Sequence, residues 1–561
     1  MHASELQAAS LDNPFYYLQN ARALIRWVLS HYAELLLPEE RQQLEQLLKL
    51  PDQAQALLVR MLMRKGERFR LSALSYQEIG DVAPWLRQLE ALGLVQTHSQ
   101  FSAEDLSALL TKPELLTLLR SLGLKALASS KKPLLIEQLS QHQPQSLTWS
   151  NWWLQAENAP PTLREDEVIE LCVSALFERV QLMFFGNLRQ NLSEFVLTEL
   201  GHQRYEVVDF TPASRAFATR DEVDFYLQLQ RLRERLEEGS TDLAELLNEI
   251  PQPLAENLWL ASRQSRLFYS LGYQAERSGQ WDLALAAYDL AQHREGQVRR
   301  VRILEKQNKM DDAYEAAMTA YETVTTPVER ENLQRLLKRL ARKTGAAFPV
   351  FHRPMLKEET LTLPYFAGRV EQAAATYYSA QGGHCDYAEN ALFTGLFALL
   401  CWPVLYTPLP GAFFNPFQSG PQDLHRDDFF TRRQALLDEA LATLDTGTYA
   451  SLILQRFDEH YGKSCPLMIW PLLNKALLER ALERIPAADL RLIFERLIVD
   501  IRHHRSGLPD LIYWPDSGGY ELIEVKGPGD RLQDNQKQWA DFLLTQGINM
   551  RVCHVRWLDV E

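Results

Sequence analysis

The chain has 561 residues, 46% of them hydrophobic and 24% charged, with a net charge of −14: it is long enough for about three to five domains and too apolar to be disordered or fibrous. The acidic balance argues mildly against nucleic acid as a partner, since phosphate binding draws on lysine and arginine, although it says nothing of individual faces. Cys172, Cys385, Cys401, Cys465 and Cys553 are odd in number and never in CxxC spacing, so neither a disulfide framework nor a zinc site is signalled and a reducing compartment is expected.

The start, MHASELQAASLDNPFYYL, lacks the basic and apolar regions of a secretory signal, and export is not expected. Residues 14–100 read as amphipathic helices. They end in YQEIGDVAPWLRQLEALGLVQT, a helix running into a short extended end, which suits a winged-helix-like unit. Arg60, Arg64, Lys65, Arg68 and Arg70 cluster within it; the plain alternative is a solvated face. From Thr111 to Leu139, a T-x-x-E capping box (Thr111, Glu114) opens one helix, Gly123 can close it, and Lys131, Lys132 and Pro133 sit where a second begins. This pair resembles a SAP module, a small DNA-binding hairpin of helices, with an ordinary helical hairpin as the alternative.

FYSLGYQAERSGQWDLALAAYDLAQ matches the tetratricopeptide signature at Phe268, Leu271, Gly272, Ala284, Tyr288 and Ala291, and a shorter unit follows with Ala313, Ala317 and Ala320 at the small positions. Small residues at this spacing let antiparallel helices approach closely. Such repeats often hold peptides but do not name a ligand. RLLKRLARK then places Arg335, Lys338, Arg339, Arg342 and Lys343 on one helical stripe. ALFTGLFALLCWPVLY, from Ala391 to Tyr406, is broken by Pro403 before it could span a bilayer. It is expected to be a buried core helix.

GLPDLIYWPDSGGYELIEVKGPGDRL, from Gly507 to Leu532, holds two alternating segments around the turn residues PDSGG, the pattern of a β-hairpin. Pairing symmetric about Ser517 puts Asp510 opposite Glu524, Ile512 opposite Leu522 and Trp514 opposite Tyr520. Asp510, Glu524 and Lys526 then share one face. Opposed carboxylates repel unless a cation joins them, and hard oxygen ligands suit Mg²⁺ or Mn²⁺. A solvated hairpin face is the alternative.

The order P-D, then E-x-K after a strand and turn, resembles the PD-(D/E)xK nuclease core. The longer RHHRSGLPDLIYW…ELIEVKGPGDRLQDNQKQW resembles its VRR-NUC subclass, and the whole chain looks like a bacterial member of the Fanconi anaemia-associated nuclease family. The N-terminal segments, the SAP-like hairpin, the repeats and the nuclease end stand in the family's order. The resemblance implies a multidomain, mostly α protein: an N-terminal helical, winged-helix-like DNA-binding unit (1–103), a SAP-like module (104–145), a helical linker with TPR-like repeats (146–360) and a C-terminal α/β, restriction-endonuclease-like VRR-NUC domain (361–561).

It further implies a structure-specific DNA nuclease that cuts 5′ flaps, digests 5′ to 3′ and acts in interstrand crosslink repair. Carried onto this sequence, the metal ligands are Asp510, Glu524, the Val525 carbonyl and Glu389, the last expected on the first turn of an apolar helix. One or two Mg²⁺ or Mn²⁺ ions are expected. Lys526 is the catalytic lysine, Gln536 lines the site, and Arg502 and Arg505 hold the scissile strand. Arg60, Arg64, Lys65, Arg68, Lys131 and Lys132 are expected to grip duplex DNA. The partner is branched DNA with a 5′ flap, not a membrane, with a protein partner conceivable through the repeats. The eukaryotic ubiquitin-binding zinc finger has no counterpart here, and a bacterial cytoplasm with access to the nucleoid is expected. Adjacent His503 and His504 point different ways on any regular element, which disfavours histidine catalysis. A junction-resolving or restriction-like PD-(D/E)xK endonuclease and a non-enzymatic repair scaffold stay as alternatives.

Overall fold

A computed structural model describes residues 13–154, 159–190, 203–239, 242–252, 257–291, 294–324, 327–346 and 354–558. The chain divides into two units, residues 1–202 with 217–223, and residues 203–216 with 224–561.

In the first unit, α1 (Tyr16–His31), α2 (Pro38–Leu47) and α3 (Asp52–Leu62) bury leucine, alanine and tryptophan at helical spacing. Next come β1 (Arg68–Arg70), α4 (Ala83–Ala91) and β2 (Val95–Gln96), the expected helix-to-strand ending. The SAP-like stretch forms α5 (Ala103–Leu109), α6 (Lys112–Ser121) and α7 (Lys132–His142) after a short strand β3 (Gln100–Phe101). Glu114 accepts the Thr111 N–H at 2.7 Å, and beyond the end of α6 Gly123 adopts φ +76° while the Leu124 N–H reaches the Leu119 carbonyl. Both ends of α6 thus form as read from the sequence.

Residues 146–154 and 159–190, expected in the linker, return to this unit instead. β4 (Leu147–Thr148) pairs with β3, and β5 (Val168–Leu171) is the middle strand of the sheet β1-β5-β2. A closing helix, α8 (Ser174–Phe185), sets Phe184 edge-on to Trp27 at 6.3 Å. Strands this short carry no usable alternation, so their long-range pairing leaves no local trace.

In the second unit the repeats form α9 (Leu258–Arg277), α10 (Trp281–Ala291), α11 (Arg294–Lys306), α12 (Met310–Thr323) and α13 (Pro327–Thr344). A Cβ at Gly272 would lie 2.9 Å from the Tyr288 ring and 3.3 Å from the Ala284 carbonyl, so the close approach of α9 and α10 needs glycine there. Ala313, Ala317 and Ala320 are buried against Val301 and Leu337.

The nuclease end is built on β6 (Lys357–Leu363), α14 (Val370–Ser379), β7 (Gly383–Tyr387), α15 (Leu392–Leu400), α16 (Ala487–Val499), β8 (Leu511–Pro515), β9 (Glu521–Lys526), α17 (Asp534–Thr545) and β10 (Met550–Trp557). Strand order is β6-β10-β9-β8-β7, with β6, β10 and β9 parallel and β9-β8-β7 antiparallel. One face, with Leu511, Ile523, Val525, Cys553 and Val555, packs under α14 through Ala374 and Tyr378. The other buries Ile512, Trp514, Leu522 and Met550 against Phe397, Phe494 and Trp539 from the helices. Every residue of α15 is buried, as expected of a core helix. At roughly 1.5 to 3 kcal/mol per buried Leu or Phe, its packing fixes the turn before it. Nearby, Arg433 and Asp423 form a fully buried two-point ion pair at 2.9 and 3.1 Å. Among the described residues no helix is long and apolar enough to cross a membrane.

Candidate active site

β8 and β9 pair with Leu511 opposite Ile523 and Ile512 opposite Leu522, the register symmetric about Ser517. Its continuation sets Asp510 across from Glu524, and Trp514 and Tyr520 approach to 6.4 Å at the other end. Along this face the side chains are apolar up to the last turn of strand, where Glu524 (0% exposed), Asp510 (6%) and Lys526 (7%) stand together. The Lys526 ammonium is 2.8 Å from Glu524 Oε1, and the Asp510 carboxyl shares a hydrogen bond with Glu524. Asp510 Oδ2 accepts the Val525 N–H at 2.8 Å.

Burial first, then the charge of Glu524 and of Glu389, push the Asp510 carboxyl up to about 8 against the pull of the Val525 N–H and Lys526. Burial likewise raises Glu524; Lys526 opposes and Glu389 adds to the rise. Two carboxylates so placed are poised for a cation.

Glu389 lies not on the first turn of α15 but in the turn before it. Its backbone N–H, with that of Ala388, donates to the Asp510 carbonyl at 3.1 and 2.8 Å. The turn needs Asn390 at φ +47°, and Asn390 Oδ1 accepts the Leu508 N–H at 3.3 Å. The Glu389 carboxylate takes hydrogen bonds from the Tyr387 hydroxyl and from Asn390. It acts on the acid pair through its charge, and among the described residues no group of three or more His, Cys, Asp and Glu gathers closely enough to hold an ion. Asp386, another acid nearby, is taken by the Trp514 indole at 2.8 Å, by Arg480 and by His384.

Gln536 Oε1 accepts the Gln533 N–H at 2.9 Å, capping α17. Arg502 is exposed and Arg505 half-buried. Their charges, after burial, hold His425 below the usual histidine range. Arg502 and His503 line a cleft of about 640 Å³ in which Arg266, Arg299, Arg302 and Arg426 alternate with Glu295, Glu329, Asp427, Asp428 and Asp500, a convergence that no local motif announces. His503 faces Asp500 at 2.8 Å, whereas His504 is buried on the Arg496 carbonyl at 2.6 Å, so the two do diverge.

The basic clusters separate into two kinds of residue. Arg60 donates to Glu78 at 2.9 Å and lies 4.0 Å over the Tyr17 ring; Arg68 bridges Glu170 at 2.7 Å and Asp105 at 2.6 Å. Arg64 reaches the Ala73 carbonyl at 3.0 Å. Lys132 caps the end of α5 through the carbonyls of Ser107 and Leu110 at 2.5 and 2.7 Å. Lys65 and Lys131 are exposed. Among the stripe residues of α13, Arg335 pairs with Glu331 at 2.8 Å, and Arg339 and Lys343 with Glu305 at 2.5 and 2.9 Å.

Three family profiles match the chain: the VRR-NUC domain over residues 445–557, the "FAN1, HTH domain" over 15–96 and the Fanconi anemia-associated nuclease SAP domain over 100–152. A Fanconi-associated nuclease 1 homolog of Pseudomonas aeruginosa is 41% identical over 98% of both chains. Fanconi-associated nuclease 1 of Homo sapiens is 23% identical over 96% of this chain, which spans 62% of that longer relative. Among solved structures, paFAN1 bound to 5′-flap DNA with a 2-nucleotide flap and a gap is 40% identical, with TM-score 0.80 over 99% of this chain and 100% of that one. The same protein on a 1-nucleotide flap gives TM-score 0.79. With Asp510, Glu524 and Lys526 inside the matched nuclease segment, the chain belongs to the Fanconi-associated nuclease family.

Proposed function

We propose that the chain is a structure-specific DNA nuclease that cuts 5′ flaps, digests 5′ to 3′ from such branches and serves interstrand crosslink repair by metal-dependent phosphodiester hydrolysis. The observation that carries this reading is the meeting of Asp510, Glu524 and Lys526 at the end of β9, in a chain 40% identical over its length to a protein crystallised on 5′-flap DNA.

The residues fit a hard divalent ion. Both carboxylates are buried and opposed, an arrangement unfavourable for two anions unless a cation joins them. Asp510, Glu524 and the Val525 carbonyl would hold Mg²⁺ or Mn²⁺, as one ion or two, with Glu389 recruited from its bond to Tyr387. Such an ion supplies a more acidic water and neutralises charge on the phosphate. Lys526, steadied by Glu524, offers its ammonium to the phosphate oxygens as charge develops there. Gln536 keeps the start of α17 rigid beside the site and presents its remaining amide N–H groups. Arg502 and Arg505 balance the charge of the strand being cut.

For the double-stranded arm we assign Lys65 and Lys131 as phosphate contacts, because both are exposed and neither has an ion-pair partner among the described residues. Arg64 flanks Lys65, while Arg60, Arg68 and Lys132 hold the surfaces that carry these contacts. Replacing Lys65 and Lys131 by Ala should lower the salt slope of duplex binding by about 0.9 per lost contact. The test of the function is incubation of labelled 5′-flap, 3′-flap, four-way junction and blunt duplex DNA with Mg²⁺ or Mn²⁺. Preferred cutting of the 5′ flap that EDTA abolishes is expected; equal cutting of all four, or wild-type cutting by Asp510→Ala, overturns it.

A further inference from the structure

The face of the sheet that carries the acids changes character across its width. Under β8 and β9 it is sealed by the helical core, with Ile512, Trp514 and Leu522 buried. Towards the edge it opens. Along β6, Leu361 and Leu363 turn to α14, whereas Glu358, Thr360 and Thr362 are exposed; on β10, His554 is half-exposed and Arg556 exposed.

Register puts these residues in rows with the site. Lys526 pairs with His554 and His554 with Thr360; one row back, Glu524 pairs with Val552 and Val552 with Glu358; one row on, Arg556 pairs with Thr362. With strands about 4.8 Å apart and about 6.6 Å per two residues, the floor runs outward from Lys526 for roughly 10 Å across and one row beyond. Its donors are an arginine with no ion-pair partner among the described residues, two threonine hydroxyls and a histidine. The histidine Nε2 is 3.1 Å from Glu358, which is the acid on this floor. In a chain of net charge −14, an unpaired arginine on an open floor beside a buried acid pair is placed for an anion.

We propose that His554, Arg556, Thr360 and Thr362 form a track for the cleaved strand as it leaves Lys526. Arg556 is the main phosphate contact, the threonine hydroxyls donate to the same backbone, and Glu358 holds the His554 ring while repelling the strand. The proposal rests on the nuclease reading above. It makes these positioning residues: they fix which phosphodiester stands over the acids and take no part in bond breaking. Substitutions should therefore act on KM and on the place of cutting, and Glu358 should have the opposite sign from Arg556.

The experiment compares full-length wild type, Arg556→Gln, Thr360→Val with Thr362→Val, and Glu358→Gln on gapped 5′-flap DNA in Mn²⁺. Arg556→Gln should raise KM about fivefold or more with most of the loss outside kcat, lower the salt slope of flap binding by about 0.7, and spread cutting over neighbouring phosphates. The threonine pair should show the same pattern more weakly. Glu358→Gln should lower KM two- to threefold. The rise in melting temperature on adding Mn²⁺ should match wild type in all of them, which separates loss of the track from damage to the acid site. Unchanged KM, salt slope and cut position in Arg556→Gln overturn the track, as does a Glu358→Gln variant impaired like Arg556→Gln. If wild type binds the flap but leaves it uncut, the nuclease reading fails, and the salt slope alone still decides the track.

Discussion

Replacing Asp510 by Asn should make the protein more stable while abolishing cutting. The amide keeps an acceptor for the Val525 N–H and can donate to Glu524 in place of the Asp510 carboxyl. It also spares the fold the proton that a buried Asp510 must take up to sit opposite Glu524. An aspartate titrates near 3.9 when unfolded and is pushed to about 8 here. With the folded value above the unfolded one, no stability is lost below pH 4. The loss grows as pH rises towards 8, by up to about 1.36 kcal/mol for each pH unit. Realising even about 1 kcal/mol of this would raise the melting temperature by roughly 2 °C or more. The assay is thermal unfolding of wild type and Asp510→Asn from pH 5 to 8, in EDTA and in Mn²⁺, following the transition that Mn²⁺ moves in wild type, since a chain of two units melts in more than one step. The gap in EDTA should widen with pH, and Mn²⁺ should close it by stabilising wild type alone. A variant no more stable than wild type in EDTA, or equally stabilised by Mn²⁺, would refute the view that the acids are strained until a cation joins them.

Gly272→Val should overpack the helix pair against Tyr288, destabilising the repeats by about 1 to 3 kcal/mol; limited proteolysis should show earlier cleavage within residues 258–291, and wild-type resistance would count against the contact. Asp423→Ala should cost about 3 to 5 kcal/mol by stranding the buried Arg433 and its neighbour Arg432, whereas replacing Asp423 and Arg433 with apolar residues and Arg432 with Gln should recover much of that in a chemical denaturation series. His504 is held down to about 4 by burial and by Arg496. Its contribution is complete above the unfolded value of about 6.5 and falls as pH drops towards 4, by about 3 kcal/mol in all. His504→Gln should therefore flatten the stability profile between pH 6.5 and 4, and an unchanged slope there would show that other groups set it.

The acid pair was legible because its signals are local. PDSGG is turn chemistry, the flanking segments alternate, and symmetry about Ser517 sets the partners, so Asp510 could be placed opposite Glu524 without any view of the rest of the sheet. β6, β7 and β10 were not visible in the same way. KEETLTL and GHCDY carry little apolar alternation, and they pair with strands more than a hundred residues away. The same distance explains the basic clusters. Arg68 reads as a DNA contact beside Lys65, yet its acid partner Glu170 lies 102 residues on. Charge spacing shows which residues share a face, while whether a face is free depends on what folds over it. Glu389 was placed near the right apolar helix, but the turn that holds it depends on a positive φ at Asn390 and on backbone bonds to Asp510, neither of which has a side-chain pattern.

Those backbone bonds bear on how small a working nuclease can be. The matched VRR-NUC segment, residues 445–557, contains β8, β9 and β10. It excludes β6, which closes one side of the sheet, β7, which closes the other, and the 388–390 turn that hangs from the Asp510 carbonyl. A fragment cut at that border would present two bare strand edges, one on β10 and one on β8, each a template for pairing with another copy. Such a fragment should aggregate on expression. Transplanting the hairpin into another sheet would carry the three motif residues without the support that aims them, so the portable piece starts ahead of β6.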